Sequence, residues 1–336
     1  MVNYPPSLSL ARLPTPLHEA RNVADLLRPG QRLWIKRDDE TGCGTSGNKL
    51  RKLDFYAAEA VAQGADALLT SGADVSNHCR ATALVARELG MDVALLLEGA
   101  ETPDLDGNFL LMALVGARVR TVPEDSTYDP MAELRDMAEK LRAEGRRPYI
   151  VPPAGTAELG VIAYVRAVEE LREQCEAIGL QPDALTVTAG SCSTYAGIVL
   201  GAALWGGSAP PPALGFSISG GTPRASAKTR RLIREAVAYL GLERSVPDEA
   251  VRILDQYRGA GYGLVDGPVY AFIHEIACRT GLILDPVYTG KALAGVLSEM
   301  RSGCLQGARD VVFFHTGGLF GLFPHRDRFA LPCRGI

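Results

Sequence analysis

The stretch SGNKLRKL, residues 46–53, places a lysine where its amine could act as a nucleophile. Upstream, residues 36–47 read KRDDETGCGTSG, a polar run with glycines at 42, 44 and 47 that predicts a loop. From Asn48 onward Leu50, Leu53, Ala57, Ala58 and Val61 recur at helical spacing. Asn48 is a good N-cap residue, which sets Lys49 in the first turn. There it faces unpaired backbone N–H groups and the positive end of the helix dipole. That field lowers the pKa of an amine and attracts phosphate. A neutral amine beside an anion anchor suits covalent capture of a carbonyl on a phosphate-bearing group. Taken alone, a lysine at a helix start is more commonly a solvated side chain, so other segments must decide.

Four further segments carry residues capable of chemistry, and each follows an apolar run. After ALLTSG (67–72) comes ADVSNHCR, with Ser76 and Asn77 at a helix start; a plain N-cap is the simpler reading of Ser76 on its own. After LTVT comes AGSCSTYAG (189–197). Small, hydroxylated residues entering a helix form a phosphate cradle from backbone N–H groups and hydroxyls, or simply a capped loop. The segment is neither GxGxxG nor a Walker A motif, so dinucleotide and ATP readings lose ground. After Leu284 comes DPVYTGKA, where Tyr288 either stacks on a flat ring or fills the core. After VVFF comes HTGG (315–318), a polar strand end.

The elements that position these residues alternate. Strands are predicted at 32–38, 67–72, 93–99, 117–123, 147–153, 184–191, 215–221 and 310–318. Helices are predicted from 48, over 77–89, near 105–115, near 129–144 and near 158–178. Apolar strands alternating with amphipathic helices predict an α/β protein: two domains, each an open, mostly parallel twisted sheet with helices on both faces. Four consecutive strand–helix units in 65–155 suffice for the smaller domain. In such sheets ligands sit beyond the C-terminal strand ends, where the residues above cluster.

Composition bounds the rest. The chain has 336 residues, 47% hydrophobic and 22% charged, with a formal net charge of −4. That is ordinary for a globular protein large enough for two domains, and it gives no basic footprint for nucleic acid or anionic membrane. No apolar run reaches the length of a membrane span, and the N-terminus has no secretory-signal pattern. Seven cysteines, at 43, 79, 175, 192, 278, 304 and 333, and five scattered histidines show no metal-ligand spacing. Reduced thiols in a cytoplasmic protein and no metal are expected.

In this order the motifs resemble the D-cysteine desulfhydrase and 1-aminocyclopropane-1-carboxylate (ACC) deaminase family of tryptophan-synthase-β-like enzymes that use pyridoxal phosphate. The resemblance runs from PTPLHEA (14–20) through IKRDD (35–39), SGNKLRKL (46–53), SNHCR (76–80), RPYIVPPAGTAELG (147–160) and AGSCSTYAG (189–197). It closes with GYG (261–263), LDPVYTGKA (284–292) and FFHTGG (313–318). It implies a fold type II enzyme with the cofactor in the cleft between a large domain (1–50 and 164–336) and a small one (51–163). It also implies a small amino-acid substrate and a homodimer.

Site roles follow from the resemblance position by position. Lys49 matches the Schiff-base lysine and Lys52 a phosphate contact. Asn77 matches the partner of the ring 3′-oxygen. Ala189, Gly190, Ser191, Cys192, Ser193 and Thr194 match the phosphate loop. Ser76 matches an active-site serine near the substrate, and His78 is expected to orient it. Tyr262 and Tyr288 match two active-site tyrosines, one of which stacks on the ring. Thr289 and Thr316 stand where ACC deaminases usually have glutamate and leucine, and both are threonine as in desulfhydrases. Thr289 is expected at the substrate and Thr316 at the cofactor. Threonine leaves the pyridine nitrogen without a carboxylate, a weaker electron sink that suffices for a good leaving group.

The chain departs from the family at Cys192 and Ser193, where desulfhydrases tend to have a small residue and glycine. GGTPRAS (220–226) is a further candidate to line the substrate site. The implied reaction is α,β-elimination from D-cysteine to pyruvate, ammonia and sulfide. The alternatives are ACC deamination, L-cysteate sulfo-lyase activity and β-replacement in secondary metabolism. A non-catalytic ligand-binding protein on the same fold is a further alternative.

Overall fold

The computed structural model describes residues 2–99, 104–123, 128–206 and 210–329; Cys333 lies outside them. In chain order the elements are β1 (Leu17–Glu19), β2 (Arg32–Lys36), α1 (Asn48–Ala62), β3 (Ala67–Ala73), α2 (Asn77–Glu88), β4 (Asp92–Glu98), α3 (Gly107–Leu114), β5 (Arg118–Val122), α4 (Pro130–Ala143) and β6 (Pro148–Ile150). There follow α5 (Glu158–Ile178), β7 (Ala184–Ala189), α6 (Ser193–Ala203), β8 (Ala213–Ser217), α7 (Thr222–Tyr239), β9 (Arg252–Leu254), α8 (Gly267–Thr280), α9 (Thr289–Ser302) and β10 (Asp310–Phe314).

Two sheets result, as the alternation predicts. The larger has the order β1-β2-β10-β7-β8-β9, and the smaller β5-β4-β3-β6. All pairings are parallel except β1 with β2. Every residue of β7, β8 and β10 is buried, which is why these strands read as largely apolar without alternation: helices cover both faces. β5 lies at an edge with its first three residues exposed. The edge strands β1 and β9 have three residues each and carry too short a pattern to be read from sequence. Several strands stop short of their predicted ends. β2 ends at Lys36 because residues 38–40 form a 3-10 turn.

Helices α5 and α6 pack closely. A Cβ on Gly197 would collide with Tyr164 and the Val161 carbonyl, and one on Gly201 would sit 2.6 Å from Val168 Cβ. Beneath α1 lies a buried ionic cluster. Arg51 donates to Asp38 at 2.8 and 2.9 Å and to Glu170 at 2.9 Å. Lys36 donates to Glu170 at 2.5 Å, and the Tyr164 hydroxyl to Asp38 at 2.6 Å. The cluster fastens α1, and with it Lys49, to β2 and α5. The sequence-derived domain boundaries, 50/51 and 163/164, fall inside α1 and α5.

Candidate active site

A cavity of about 250 Å³ opens where strand ends of both sheets meet. Ser71, Gly72 and Ala73 at the end of β3 line it together with Glu98 of β4, Thr188 of β7 and Thr316 after β10. Loops gather there because in parallel α/β sheets ligand sites form beyond the carboxyl ends of the strands. Of the residues singled out from sequence, Lys49, Ser76, Asn77, His78, Gly190, Ser191, Cys192, Thr194, Tyr262, Tyr288 and Thr316 all line it. Lys52 and Ser193 are fully buried beside it, and Ala189 is buried at the end of β7.

Lys49 enters from the first turn of α1. Its Nζ donates to the Ala154 carbonyl at 3.2 Å, and burial lowers its pKa to about 8. The expected N-cap differs. Gly47, at φ 106°, occupies the cap position, and Asn48 begins the helix. A side chain at Gly47 would press on the Thr316 carbonyl, 3.0 Å from the Cβ position. Asn48 instead ties the helix to two strand ends. Its N–H donates to that carbonyl at 3.0 Å and its Nδ2 to Thr194 Oγ1 at 3.1 Å.

Lys52, one turn on, donates to Ser193 Oγ at 2.8 Å, and Ser193 Oγ donates to the Gly155 carbonyl at 3.2 Å. Burial, then the neighbouring Lys49 charge, push the Lys52 pKa down. Cys192 precedes α6 in a left-handed conformation, φ 76°, and makes no side-chain cap. That conformation costs a non-glycine residue about 1–2 kcal/mol, and it turns the loop so that α6 begins at the cavity. The start of α6 and the Lys52 amine thus lie side by side through Ser193, an arrangement suited to an anion, whose charge would favour the protonated lysine.

At the start of α2, Ser76 Oγ accepts from the N–H groups of His78 and Cys79, both at 3.2 Å. Ser76 is therefore an N-cap whose hydroxyl also lines the cavity. His78 does not orient it through its ring: Nε2 pairs with Thr70 Oγ1 at 3.0 Å, and Nδ1 has no partner among the described residues. Burial, then Lys49 and Lys52, hold this histidine neutral. The buried Oδ1 of Asn77 also lacks a partner among the described residues.

Tyr262 and Tyr288 face each other across the cavity wall, their hydroxyls 2.7 Å apart. Thr289 corrects an expectation. It is fully buried and absent from the cavity lining, because its hydroxyl donates to Asp285 Oδ1 at 2.7 Å and accepts from the Asp285 N–H at 2.9 Å. Asp285 in turn accepts the N–H groups of Val287, Tyr288 and Thr289 at 2.8–3.0 Å. The pair thus sets Tyr288 from behind. Residues 220–226 also stay off the lining, since Thr222 turns into α7 with its N–H held by Asp255 at 3.1 Å.

Three contributors escaped sequence reasoning. Arg80, fully buried, donates to the Gly44 and Ser46 carbonyls and to Asn108 Oδ1, and so fixes the loop before Lys49. Lys291 donates to the carbonyls of Arg258, Gly261 and Leu264 at 2.8, 2.9 and 2.6 Å, and so holds the loop bearing Tyr262. Glu98 lines the cavity from β4. Arg80 and Lys291 stand inside SNHCR and VYTGK, so their neighbourhood was visible, whereas their acceptors were not.

A buried low-pKa lysine, a helix start with a second lysine beside it, an amide oxygen unpaired among the described residues and a tyrosine wall suit a phosphate-bearing aldehyde held between two α/β sheets. Residues 8–317 match the family model described as pyridoxal-phosphate dependent enzyme. A bifunctional D-cysteine desulfhydrase/1-aminocyclopropane-1-carboxylate deaminase of Arabidopsis thaliana is 38% identical over 338 residues, covering 96% of this chain and 81% of that protein. A D-cysteine desulfhydrase of Salmonella newport is 36% identical, covering 95% and 97%. A solved ACC deaminase homologue superposes with a TM-score of 0.85 at 37% identity, covering 96% of this chain and 95% of that one.

The chain belongs to the pyridoxal-phosphate dependent enzyme family, and its fold is that of the fold type II enzymes. Lys49 would carry the cofactor. Lys52 and the start of α6 would hold its phosphate, with Asn77 and Thr316 beside its ring. Among the described residues no helix is long and apolar enough to cross a membrane.

Proposed function

We propose that this chain is a lyase that removes the β-substituent of a small amino acid, with D-cysteine or a close analogue as substrate. The balanced reaction takes D-cysteine and water to pyruvate, ammonia and hydrogen sulfide. Bound pyridoxal phosphate supplies an electron sink next to the substrate Cα. Lys49 Nζ, neutral above about pH 8, is the base placed to take the α-proton. Ser76 Oγ faces the substrate's carboxylate and Cα region, where it assists proton transfer, and the Tyr262–Tyr288 hydroxyl pair offers a proton donor on the facing wall.

The observation that carries this reading is the pair of threonines. Thr316 lines the cavity, and Thr289, off the lining, is committed to Asp285. Neither position supplies a carboxylate to sharpen the electron sink. A thiolate leaves as an anion without that help, whereas opening a cyclopropane ring demands more. The Salmonella relative named D-cysteine desulfhydrase fits this choice, and the Arabidopsis relative, named for both activities, fits either.

A screen of D- and L-amino acids for pyruvate, with ACC tested for 2-oxobutyrate, decides the matter. The expected outcome is a higher kcat/KM on D-cysteine or an analogue, and a higher value on ACC would overturn the proposal. Pyruvate formed without an added nucleophile separates a lyase from a β-replacement synthase.

The same reading takes residues 51–163 as a small domain against 1–50 with 164–336. It takes the working unit as a homodimer in the cytoplasm. Exposed Leu110 and Leu114 on α3 support pairing, and the free thiols of the six described cysteines fit a reducing compartment. Light scattering of the purified protein tests the dimer.

A further inference from the structure

Among the described lining residues of the cavity two side chains are charged: Lys49 and Glu98. Lys49 is committed to the cofactor, so Glu98 is the charge that an incoming substrate meets. Glu98 ends β4 in register with Ala73, and the Ala73 carbonyl accepts the Ser76 N–H at 3.0 Å. One strand spacing, about 4.8 Å, therefore separates Glu98 from the segment that leads into Ser76. Among the described residues its carboxylate makes no hydrogen bond and no ion pair, and so no described cation neutralises it. Two tyrosines, Tyr128 and Tyr262, line the same cavity. Burial first, then Glu98, raise the pKa of the Tyr128 hydroxyl; burial raises that of Tyr262, with Asp285, Cys79 and last Glu98 adding to it. The site is thus asymmetric, with the Lys52 amine and the start of α6 at one end and, among the described lining residues, the Glu98 carboxylate at the other.

We propose that Glu98 sets the charge selectivity of this cavity. It admits amino acids whose side chain is neutral or cationic and excludes those bearing a side-chain carboxylate, sulfonate or phosphate. The inference rests on the reading that the cavity takes an amino acid, and it narrows that reading toward thiols and away from cysteate. Repulsion is an efficient way to discriminate, since an unpaired like charge penalises the wrong ligand without any contact to the right one. Two unit charges about 6 Å apart at an effective dielectric of about 20 repel strongly enough to weaken binding roughly a hundredfold.

The test uses isosteric ligands that differ by one charge. Asparagine and aspartate of each chirality are titrated into the cofactor-loaded enzyme, and the perturbation of its visible absorption band gives Kd. The wild-type enzyme is expected to bind asparagine at least thirtyfold more tightly than aspartate of the same hand. In Glu98→Gln that ratio should shrink at least tenfold, chiefly because aspartate binds better. A wild-type ratio within threefold, or one unchanged in Glu98→Gln, would overturn the proposal.

Should the variant fail to retain cofactor, a second isosteric comparison on the wild-type enzyme decides. D-cysteine sulfinate bound as well as S-methyl-D-cysteine S-oxide, its neutral analogue with the α-carboxylate kept, would overturn the proposal, and at least tenfold weaker binding would support it. The elimination reading fails separately. An enzyme that shows the asparagine preference yet releases no keto acid from any amino acid supports the role of Glu98 and rejects elimination. Pyruvate release with no charge preference does the reverse. A spectrum that no amino acid perturbs overturns both.

Discussion

The hydroxyls of Tyr262 and Tyr288 lie 2.7 Å apart, with their rings edge to face at 69° and centroids 6.0 Å apart. The two arrive by different routes. Tyr288 sits at the start of α9, set by Asp285, while Tyr262 hangs on a loop whose Gly259, Gly261 and Gly263 all have positive φ. Burial raises the pKa of both hydroxyls, so the pair is neutral and shares one proton donor. Its alignment depends on what fixes the loop, and that is Lys291.

Lys291→Met should release the Tyr262 loop. Three carbonyls lose a charged donor, at a cost of about 1–3 kcal/mol for each one left buried and unpaired. The expected outcome is a lower Tm, new proteolytic cleavage within residues 258–264 and a fall in kcat of at least tenfold. Lys291→Arg should retain part of each. Unchanged cleavage and turnover would show that the loop holds itself.

The purified protein should be yellow, with an absorption band at about 410–420 nm, as lysine-bound pyridoxal phosphate gives. Borohydride reduction followed by peptide mass mapping should place the adduct on Lys49, and Lys49→Ala should lose the covalent link. An adduct on Lys52, its buried neighbour, would reject the assignment.

Burial of Lys49 also makes a pH prediction for the cofactor-free protein. Its pKa falls from 10.5 to about 8 on folding, so between these values the unfolded chain binds the extra proton, and stability rises with pH. Apo Lys49→Met lacks that penalty. It should be more stable than the apo wild type at pH 7, by an amount on the order of 1–3 kcal/mol. The difference should shrink as pH rises from about 8 towards 10.5. A gap that stays constant across that window in paired denaturant titrations would show that the amine is not desolvated.

Ser76→Ala separates capping from catalysis by magnitude. Loss of a cap costs about 1 kcal/mol of stability and leaves turnover nearly intact. Loss of a group that moves a proton costs on the order of 10²–10⁴ in rate. We expect the second pattern, with the visible spectrum retained. A fall in kcat below about tenfold, worth only ~1.4 kcal/mol, would leave Ser76 as a cap alone.

Arg51→Met should destabilise the protein by about 3–5 kcal/mol, because it strands Asp38 and Glu170 without their shared cation. The carboxyls of both lie below their usual pKa: burial opposes this, but Arg51 outweighs it. Their contribution is therefore present above the ordinary carboxylate range and lost as pH falls below it. Since Arg51 lies two residues from Lys49 on α1, cofactor retention during dialysis should fall as well. Retention and acid stability equal to wild type would separate the cluster from the site.

The sequence by itself determined the alternation of strands and helices, the strand ends where chemistry gathers, and Lys49 in the first turn of its helix. These follow from local periodicity and from residue types that pair with nearby backbone. Tertiary structure alone decided which buried groups meet. Lys52 finds Ser193 across 141 positions, and Arg51 finds Glu170 across 119. Asn48 gave up its expected cap because packing brought the Thr316 carbonyl to its N–H, and Thr289 left the cavity because Asp285 took its hydroxyl. Lys291 and Arg80 are ordinary cations in the sequence. They became clamps only where folding left loop carbonyls without partners, and a buried carbonyl must be paired by whatever donor the fold brings within reach.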